Sequence, residues 1–448
     1  MERNLPIVVI GAGPVGLAAA AHLLARGLRP LVLERGADVG ASLRDWAHVR
    51  VFTPWRYNID GAARDLLAND GWQEPDPEAL PDGAELVRDY LEPLARLPAL
   101  APHVRCKAEV VAVSRLGFDK LTSTGREAAP FLVRLRGPGG SEEQVVARAV
   151  IDASGSWRQP NPMGIDGLPV PGEAEVADHI AYHIPDVVDA RRPDYEGHRI
   201  LVVGSGHSAI NVVLDLLRLR DEAPATRVLW ALRRSGLAKI VGGGAVDSLA
   251  ERGALGLAAR RAIDEGRLEL LVPFAAERIV RHEGALRVAA QIAGNPVTLD
   301  VDRIVVATGF RPDLELFREL RVALDPVVEA PPALAPLIDP NLHSCGTVPP
   351  HGAAELTHPE PGFYIVGSKS YGRAPTFLMM TGYEQVRSVA AAIAGDHAAA
   401  RDVRLVLPET GICSTSTREE ATSAAACCVP AKQAEPAVPT SACCGVRA

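Results

Sequence analysis

Two stretches of this chain share one local pattern: a short apolar strand, a glycine-rich turn, a helix and a second strand. The first, LPIVVIGAGPVGLAAAAHLLARGLRPLVLERG, places Gly11, Gly13 and Gly16 in the spacing G-x-G-x-x-G. The second, HRILVVGSGHSAINVVLDLLRLRDEAPATRVLWALRRSG, repeats the turn as G-x-G-x-x-A, beginning with Gly204 and Gly206. A βαβ unit of this kind belongs to a parallel sheet covered by helices. The chain is therefore predicted to be α/β with two Rossmann-like domains.

The first glycine turn suits a dinucleotide. Gly11 permits the tight turn, Gly13 lets the backbone approach a pyrophosphate, and Gly16 allows close packing of helix and strand. The free N–H groups at the start of the helix then point at the phosphates. Glu34 stands at the end of the second strand, where a carboxylate accepts hydrogen bonds from ribose hydroxyls. With Pro14, these residues are the predicted contacts of the first nucleotide.

The second glycine turn predicts a second nucleotide, bound at Gly204, Gly206 and Ser208. At the end of the following strand, where NAD binders carry an acid, this chain has Arg233 and Arg234. A guanidinium can bind a 2′-phosphate through two hydrogen bonds. The sequence therefore predicts NADPH rather than NADH.

Composition restricts the class of protein further. The chain has 448 residues, which suggests about two or three domains, and a formal net charge of -8, which argues against nucleic acid as a partner. No signal-peptide pattern and no apolar run long enough to span a bilayer are found, so a cytoplasmic protein without a membrane partner is expected. The predicted parts are 1–160 and 302–407 for a discontinuous first domain, 161–301 for an inserted second domain, and 408–448 for a disordered tail.

Together with VIDASGSW (Val150 to Trp157) and IVVATGF (Ile304 to Phe310), the two units resemble a known family. They look like the flavoproteins with two dinucleotide-binding domains, and within these like the flavin-containing monooxygenases. The resemblance covers residues 5 to about 400. It implies that the first domain binds FAD, that the inserted domain binds NADPH, and that electrons pass from NADPH to FAD. The monooxygenase fingerprint that precedes the second glycine turn is matched only in part here. The residues that correspond to it are Gly172, His179 and Tyr182 or His183.

The resemblance also implies further site residues. In the family, the two A-T/S-G turns cross between the domains and line the cofactors; here they supply Ser154 and Gly155, and Thr308 and Gly309. Gly367 stands where related flavoproteins have a Gly-Asp contact with the ribityl chain, but Ser368 and Lys369 follow it. The segment around Thr376 precedes a helix whose N-terminus is expected to face the flavin. Arg56 and Asn58, in RVFTPWRYN, are the predicted catalytic residues.

A narrower resemblance concerns the segments VRVFTPWRYNID, DPNLHSCGTVPPHG and SKSYGRAPTFLMMTGYEQVRS. They are similar to bacterial flavoproteins encoded with arsenic-resistance genes. The resulting hypothesis is an NADPH-dependent FAD monooxygenase that uses O2 to oxygenate a soft nucleophile in a small molecule, with a link to arsenic or metalloid resistance. A homo-oligomer is compatible with this interpretation.

The tail carries two pairs of adjacent cysteines, Cys427–Cys428 and Cys443–Cys444, and no C-x-x-C occurs before residue 408. Thiolates bind soft ions, and adjacent cysteines form a poor disulfide. Mercuric reductases resemble this chain in ending with an adjacent cysteine pair. Two alternatives therefore stay open: an NADPH-dependent dithiol or metalloid reductase that uses the tail, and a tail that binds a soft metal or metalloid as a module of its own.

Overall fold

Four β-sheets and the helices between them form the part of the chain that the computed structural model describes, residues 4–233, 249–342, 348–374 and 377–405. The strands in chain order are β1 Ile7–Ile10, β2 Pro30–Leu33, β3 Val104–Arg105, β4 Glu109–Arg115, β5 Phe131–Arg136, β6 Glu142–Ala147, β7 Ala149–Asp152, β8 Ile180–Tyr182, β9 Arg199–Val203, β10 Arg227–Ala231, β11 Glu269–Leu271, β12 Phe274–His282, β13 Ala285–Ile292, β14 Asn295–Val301, β15 Arg303–Val306 and β16 Phe363–Ile365.

The α-helices of the same residues are α1 Pro14–Leu24, α2 Ala41–Arg44, α3 Gly61–Ala68, α4 Gly83–Glu85, α5 Glu92–Arg96, α6 His207–Glu222, α7 Ala250–Asp264, α8 Ala335–Ile338, α9 Met379–Ala394 and α10 His397–Arg401. A π-helical segment, Leu86–Leu91, joins α4 to α5. Residues 83–96 are thus helical, with a local change of winding. None of the described helices is long and apolar enough to cross a membrane.

The first parallel sheet has the strand order β16-β7-β1-β2-β3. β1, α1 and β2 are the first predicted βαβ unit, and β1 pairs with both β2 and β7. β16 comes from the far end of the described chain and pairs with β7. The first domain is therefore built from two separate stretches of sequence, as a discontinuous domain requires.

The second parallel sheet has the order β11-β10-β9-β15-β8, with the second βαβ unit at its centre. β15, Arg303–Val306, pairs with β8 and β9. The boundary predicted at residue 302 assigned this strand to the first domain, whereas its hydrogen bonds place it in the second sheet. The pattern IVVATGF did not reveal this, because a buried strand looks the same in either sheet.

Both domains use the same three layers. In the first, α1 and α9 cover one face of the parallel sheet, and β4, β5 and β6 form an antiparallel sheet that packs on the other. In the second, α6 and α7 cover one face, and the antiparallel sheet β12-β13-β14 covers the other. The repeated architecture confirms the predicted α/β class with two Rossmann-like domains.

Two segments carry the chain between the sheets, and they lie side by side. Pro160 in the first forms a β-bridge with Phe310 in the second. The Asn161 N–H donates to the Gly309 carbonyl at 2.9 Å. The ends of β7 and β15, where the two A-T/S-G turns lie, are therefore linked directly.

Candidate functional site

The first glycine turn is closed by a backbone contact that only glycine permits. Gly11 has φ of +99°, and a Cβ added there would lie 2.8 Å from the carbonyl oxygen of Ala153. A Cβ added at Gly16 would lie 2.0 Å from the Gly11 carbonyl oxygen. The turn thus packs tightly between α1 and the end of β7, as the roles predicted for Gly11 and Gly16 require.

Gly13 differs from its neighbours because a Cβ added there would meet nothing within 4 Å. It caps α1, whose first residue is Pro14, and no side chain caps this helix. The N–H groups of the first turn of α1 are therefore left to a ligand. An open approach beside an uncapped helix N-terminus fits the pyrophosphate of FAD.

The half-buried Glu34 carboxylate lies at the same edge. One oxygen accepts a hydrogen bond from the Ala12 N–H at 2.8 Å, and the other accepts from the Gly36 N–H at 2.7 Å. Both oxygens keep lone pairs, so the fixed carboxylate can also accept from ribose hydroxyls. The geometry fits the role predicted for Glu34.

Ser154 and Gly155 follow β7 and lie against the first glycine turn. A Cβ on Gly11 would be 3.0 Å from the Ser154 Cα, and one on Gly155 would be 3.8 Å from the Ser368 hydroxyl. The Gly367 N–H donates to the buried side chain of Gln385 at 2.8 Å. The structure thus brings the FAD residues predicted from the two separate stretches to one edge of the first sheet.

The second glycine turn repeats the first. Gly204 has φ of +140°, and an added Cβ would lie 2.2 Å from the Ala307 carbonyl oxygen. An added Cβ at Gly206 would meet nothing within 4 Å, and Gly206 caps α6 without help from a side chain. Ser208 is the second residue of this helix. The cradle fits a second pyrophosphate, as predicted for NADPH.

Arg233 lies two residues after the end of β10, at the carboxyl edge of the second sheet. Its side chain is exposed and donates one long hydrogen bond, 3.4 Å, to the Ile165 carbonyl oxygen. A weakly held guanidinium at this edge is free to turn towards a 2′-phosphate. Arg234 and Thr376 lie outside the described residues.

Thr308 and Gly309 are braced by Asn161, which the sequence did not single out. The Thr308 hydroxyl donates to the Asn161 carbonyl oxygen at 3.0 Å, and the Asn161 amide donates to the Thr308 carbonyl oxygen at 3.2 Å. Arg311 donates to the Asn161 Oδ1 at 3.0 Å. An asparagine nearly 150 residues from its partners gives no local signal, so no motif could have found it.

The two predicted catalytic residues have other partners in this structure. Arg56 is exposed and forms an ion pair with Glu78. Asn58 is 1% exposed, and its amide donates to the carbonyl oxygens of Thr53 at 2.7 Å and Pro54 at 3.1 Å. Both amide hydrogens are thus used within the loop itself. The contacts give Asn58 a loop-fixing role, and the catalytic role of both residues stays a prediction.

A cleft of about 810 Å³ lies between the two domains, which we call the interdomain cleft. Its lining includes Asp45, His48, Trp157, Arg158, Tyr182 and His183. The imidazole of His183 stacks on the indole of Trp157, with ring centroids 4.0 Å apart, and Phe310 completes the cluster at 5.3 Å from both. The Trp157 N–H donates to Asp45 at 3.0 Å, which fixes the aromatic wall against the first domain.

His183 is an unusual residue in this wall. Its φ is +91°, a value that costs energy for a non-glycine residue. Burial lowers the pKa of its imidazole, so the ring is neutral near pH 7. The cleft therefore presents an uncharged aromatic surface with polar groups around it, as small-molecule sites do.

Thiols and metal ligands are scarce in the described part of the chain. Cys106 is the cysteine found there, half-buried, and burial raises the pKa of its thiol. No group of three or more His, Cys, Asp or Glu side chains in the described ranges could hold a metal ion. Cys427, Cys428, Cys443 and Cys444 lie outside these ranges, so the predicted soft-metal site stays a prediction.

Comparisons with known proteins agree with this geometry. A family model described as pyridine nucleotide-disulphide oxidoreductase matches residues 5–330. Indole-3-pyruvate monooxygenase YUCCA6 of Arabidopsis thaliana is 27% identical over 212 residues, which cover 47% of this chain and 44% of the relative. The chain thus matches less than half the length of this curated relative.

Two solved structures share the fold. Bacillithiol disulfide reductase Bdr (YpdA) of Bacillus cereus aligns with a TM-score of 0.65 at 18% identity, over 87% of this chain and 99% of that one. The cadaverine monooxygenase DfoA of Erwinia amylovora, solved with bound FAD, aligns with a TM-score of 0.60 at 13% identity, over 92% and 99%. At these identities the likeness concerns the fold alone.

The family model covers more than half of the chain, and both nucleotide cradles that it implies are present. The predicted enzyme class and the two predicted cofactors are confirmed. This chain belongs to the pyridine nucleotide-disulphide oxidoreductase family and is an FAD- and NADPH-dependent oxidoreductase.

Proposed function

We propose that the chain is a flavin monooxygenase, which uses NADPH and O2 to oxygenate a soft nucleophile (sulfur, nitrogen or arsenic) in a small molecule. Overall, substrate, O2, NADPH and a proton give the oxygenated substrate, NADP⁺ and water. Bound FAD supplies the hydride acceptor and the oxygen chemistry. The chain would supply two cradles for the nucleotides and a cleft between the two domains.

One observation favours oxygenation over disulfide reduction as the reaction of this chain. A disulfide reductase needs two thiols in exchange with each other beside the flavin. In the described residues Cys106 has no cysteine partner, and its raised thiol pKa makes it a poor nucleophile. The names of the curated relatives, which include indole-3-pyruvate, Baeyer-Villiger and flavin-containing monooxygenases, support the same choice.

The interdomain cleft is the proposed substrate site. Its volume suits a small organic molecule, and none of its lining residues belongs to the two glycine turns. Trp157 and His183 would pack against the apolar part of the substrate. Arg158, on the rim, has no ion-pair partner among the described residues and offers a cation to a polar group.

The test is NADPH oxidation under ¹⁸O2 with a thioether, a tertiary amine and a trivalent organoarsenic compound, followed by mass spectrometry of the products. The organoarsenic compound enters because of the resemblance to flavoproteins encoded with arsenic-resistance genes. We expect one ¹⁸O atom per oxidised substrate and coupled NADPH loss. NADPH consumption that yields only hydrogen peroxide with all three compounds would contradict the proposal.

Two variants sharpen this test. His183→Leu should raise the KM of the active substrate about tenfold and that of NADPH much less, because it changes the cleft and not the second cradle. A chain ending at residue 407 should keep oxygenation, because the cysteine pairs lie beyond it. If that truncation instead abolishes NADPH turnover with a disulfide or metalloid acceptor, the tail carries the electrons and the dithiol or metalloid reductase is the better interpretation.

A further inference from the structure

A buried lysine lies next to the predicted FAD contact Ser154. Lys369 follows β16, two residues after Gly367, and its side chain is 1% exposed. Its Nζ lies 2.8 Å from the Oδ2 of Asp152, the last residue of β7, whose side chain is fully buried. β7 and β16 are adjacent parallel strands, so the ion pair joins their carboxyl ends.

The lysine also reaches the predicted FAD contact Ser154. Its Nζ donates a hydrogen bond to the Ser154 hydroxyl oxygen at 3.1 Å. An ammonium has only donors, so this hydroxyl must accept, and its own hydrogen remains to be donated elsewhere. Ser154 is exposed and lies against Gly11 in the first glycine turn. Its hydrogen is thereby available to an acceptor in the FAD cradle.

Asp152 completes the arrangement. Its Oδ1 accepts from the Ser154 N–H at 3.1 Å, which fixes the turn after β7. Its Oδ2 is close to the lysine but makes no well-aligned hydrogen bond in the structure. The lysine charge is therefore what balances this carboxylate. A buried carboxylate without a cation, next to a site for a pyrophosphate, would repel the anion that the cradle is built to hold.

We propose that Lys369 is a positioning residue of the FAD site: it leaves the Ser154 hydroxyl free to donate to FAD and neutralises Asp152 beside the first glycine turn. The role is distinct from that of the Gly-Asp contact in related flavoproteins, in which a carboxylate touches the ribityl chain. Here the chain acts on FAD through Ser154 and does not need an acid at residue 368.

The proposal is tested by FAD binding to the apoprotein, followed by flavin fluorescence, together with thermal unfolding. Lys369→Met should weaken FAD binding tenfold or more and lower the Tm. Lys369→Met with Asp152→Asn removes both charges, so it should recover most of the Tm while FAD binding stays weakened.

Ser154→Ala should weaken FAD binding at little cost in Tm. Adding it to Lys369→Met should cause little further loss, because both act through one hydroxyl.

A matched control comes from a second buried cation. Arg126 is fully buried and donates to Glu360 at 2.7 Å, and Arg115 also binds Glu360. Arg126→Met should therefore lower the Tm and leave FAD affinity within twofold of wild type. If the Lys369–Asp152 double variant binds FAD as tightly as wild type, or if Ser154→Ala and Lys369→Met weaken FAD binding additively, the lysine is only a structural ion-pair partner and the proposal is wrong.

Discussion

The phenyl ring of Phe52 lies 5.5 Å from the imidazole of His207, centroid to centroid. Phe52 belongs to RVFTPWRYN, the segment that contains the predicted catalytic residues Arg56 and Asn58, and His207 is the first residue of α6, next to Gly206. The contact therefore connects the first domain directly to the NADPH cradle.

Replacing this ring should slow electron transfer between the nucleotides. An aromatic pair contributes about 0.5–1.5 kcal/mol, so we expect Phe52→Ala to reduce the rate of flavin reduction by NADPH about threefold to tenfold. FAD affinity should not change. Stopped-flow flavin bleaching measures the rate, and Phe52→Tyr, which keeps the ring, serves as the control. Equal rates for Phe52→Ala and wild type would show that the contact has no part in the transfer.

The glycines of the second turn should separate folding from binding. Gly204→Ala forces a Cβ into the Ala307 carbonyl oxygen and should lower the Tm by several degrees or prevent folding. Gly206→Ala meets no protein atom and should keep the Tm, yet it should raise the KM for NADPH about tenfold or more because the methyl group occupies the approach of the pyrophosphate. A Gly206→Ala enzyme with an unchanged KM would argue against phosphate binding at this turn.

Arg233 should decide between the two nicotinamide cofactors. Loss of a charge-assisted hydrogen bond costs about 1.5–3 kcal/mol, so Arg233→Ala should weaken NADPH binding about tenfold to a hundredfold. NADH lacks the 2′-phosphate and should bind almost as before. The ratio of kcat/KM for the two cofactors is the measurement. A ratio that stays at its wild-type value would assign the phosphate contact to another residue, with Arg234 as the next variant to make.

Glu360 should be a major source of stability in the first domain. Its carboxylate holds the buried guanidinium groups of Arg115 and Arg126, which come from the β4–β5 region. Glu360→Gln leaves two buried cations without an anion, and we expect the free energy of unfolding to fall by about 3–5 kcal/mol in urea denaturation. The exposed pair Arg64–Glu74 is the control: Glu74→Gln should cost less than about 1 kcal/mol. Similar losses at the two sites would contradict the prediction.

His358 should make the fold sensitive to acid. Burial lowers the pKa of its imidazole to about 4, while the unfolded chain keeps about 6.5. As the pH falls below 6.5, the unfolded state takes up the proton first, so the free energy of unfolding decreases until about pH 4, by about 3 kcal/mol in total. His183 and His351, whose pKa values are also lowered by burial, act in the same direction. The difference between wild type and His358→Gln isolates this contribution, and parallel pH profiles of the two would disprove it.

Local spacing explains what could be predicted from the sequence. The glycine turns, α1, α6 and the flanking strands each lie within about 40 consecutive residues, so their patterns are visible without the fold. Glu34 and Arg233 could be proposed from the sequence because each lies just after the second strand of its unit, and parallel strands bring such positions to one edge.

Contacts between distant segments could not be predicted in this way. The partners of Lys369 are more than 200 residues away, at Asp152 and Ser154, and the sequence showed only that an expected acid was absent. Asn58 shows the same limit: the catalytic role suggested by its residue type stays a prediction, and the sequence did not show that its amide also holds the loop that contains it. Residue type gives the chemical capacity of a side chain, and only the fold decides which partner uses it.

The paired connection between the domains has a mechanical consequence. The segment by which the chain leaves the first domain runs beside the segment by which it returns, and the two are joined at Pro160–Phe310 and through Asn161. We expect two segments joined in this way to act as a hinge with an axis near the bridge, because a second linked connection restrains bending more than a single linker does. The second domain is therefore expected to turn as a rigid body about this axis, so that one rotation would alter both the width of the interdomain cleft and the distance between the two nucleotide cradles.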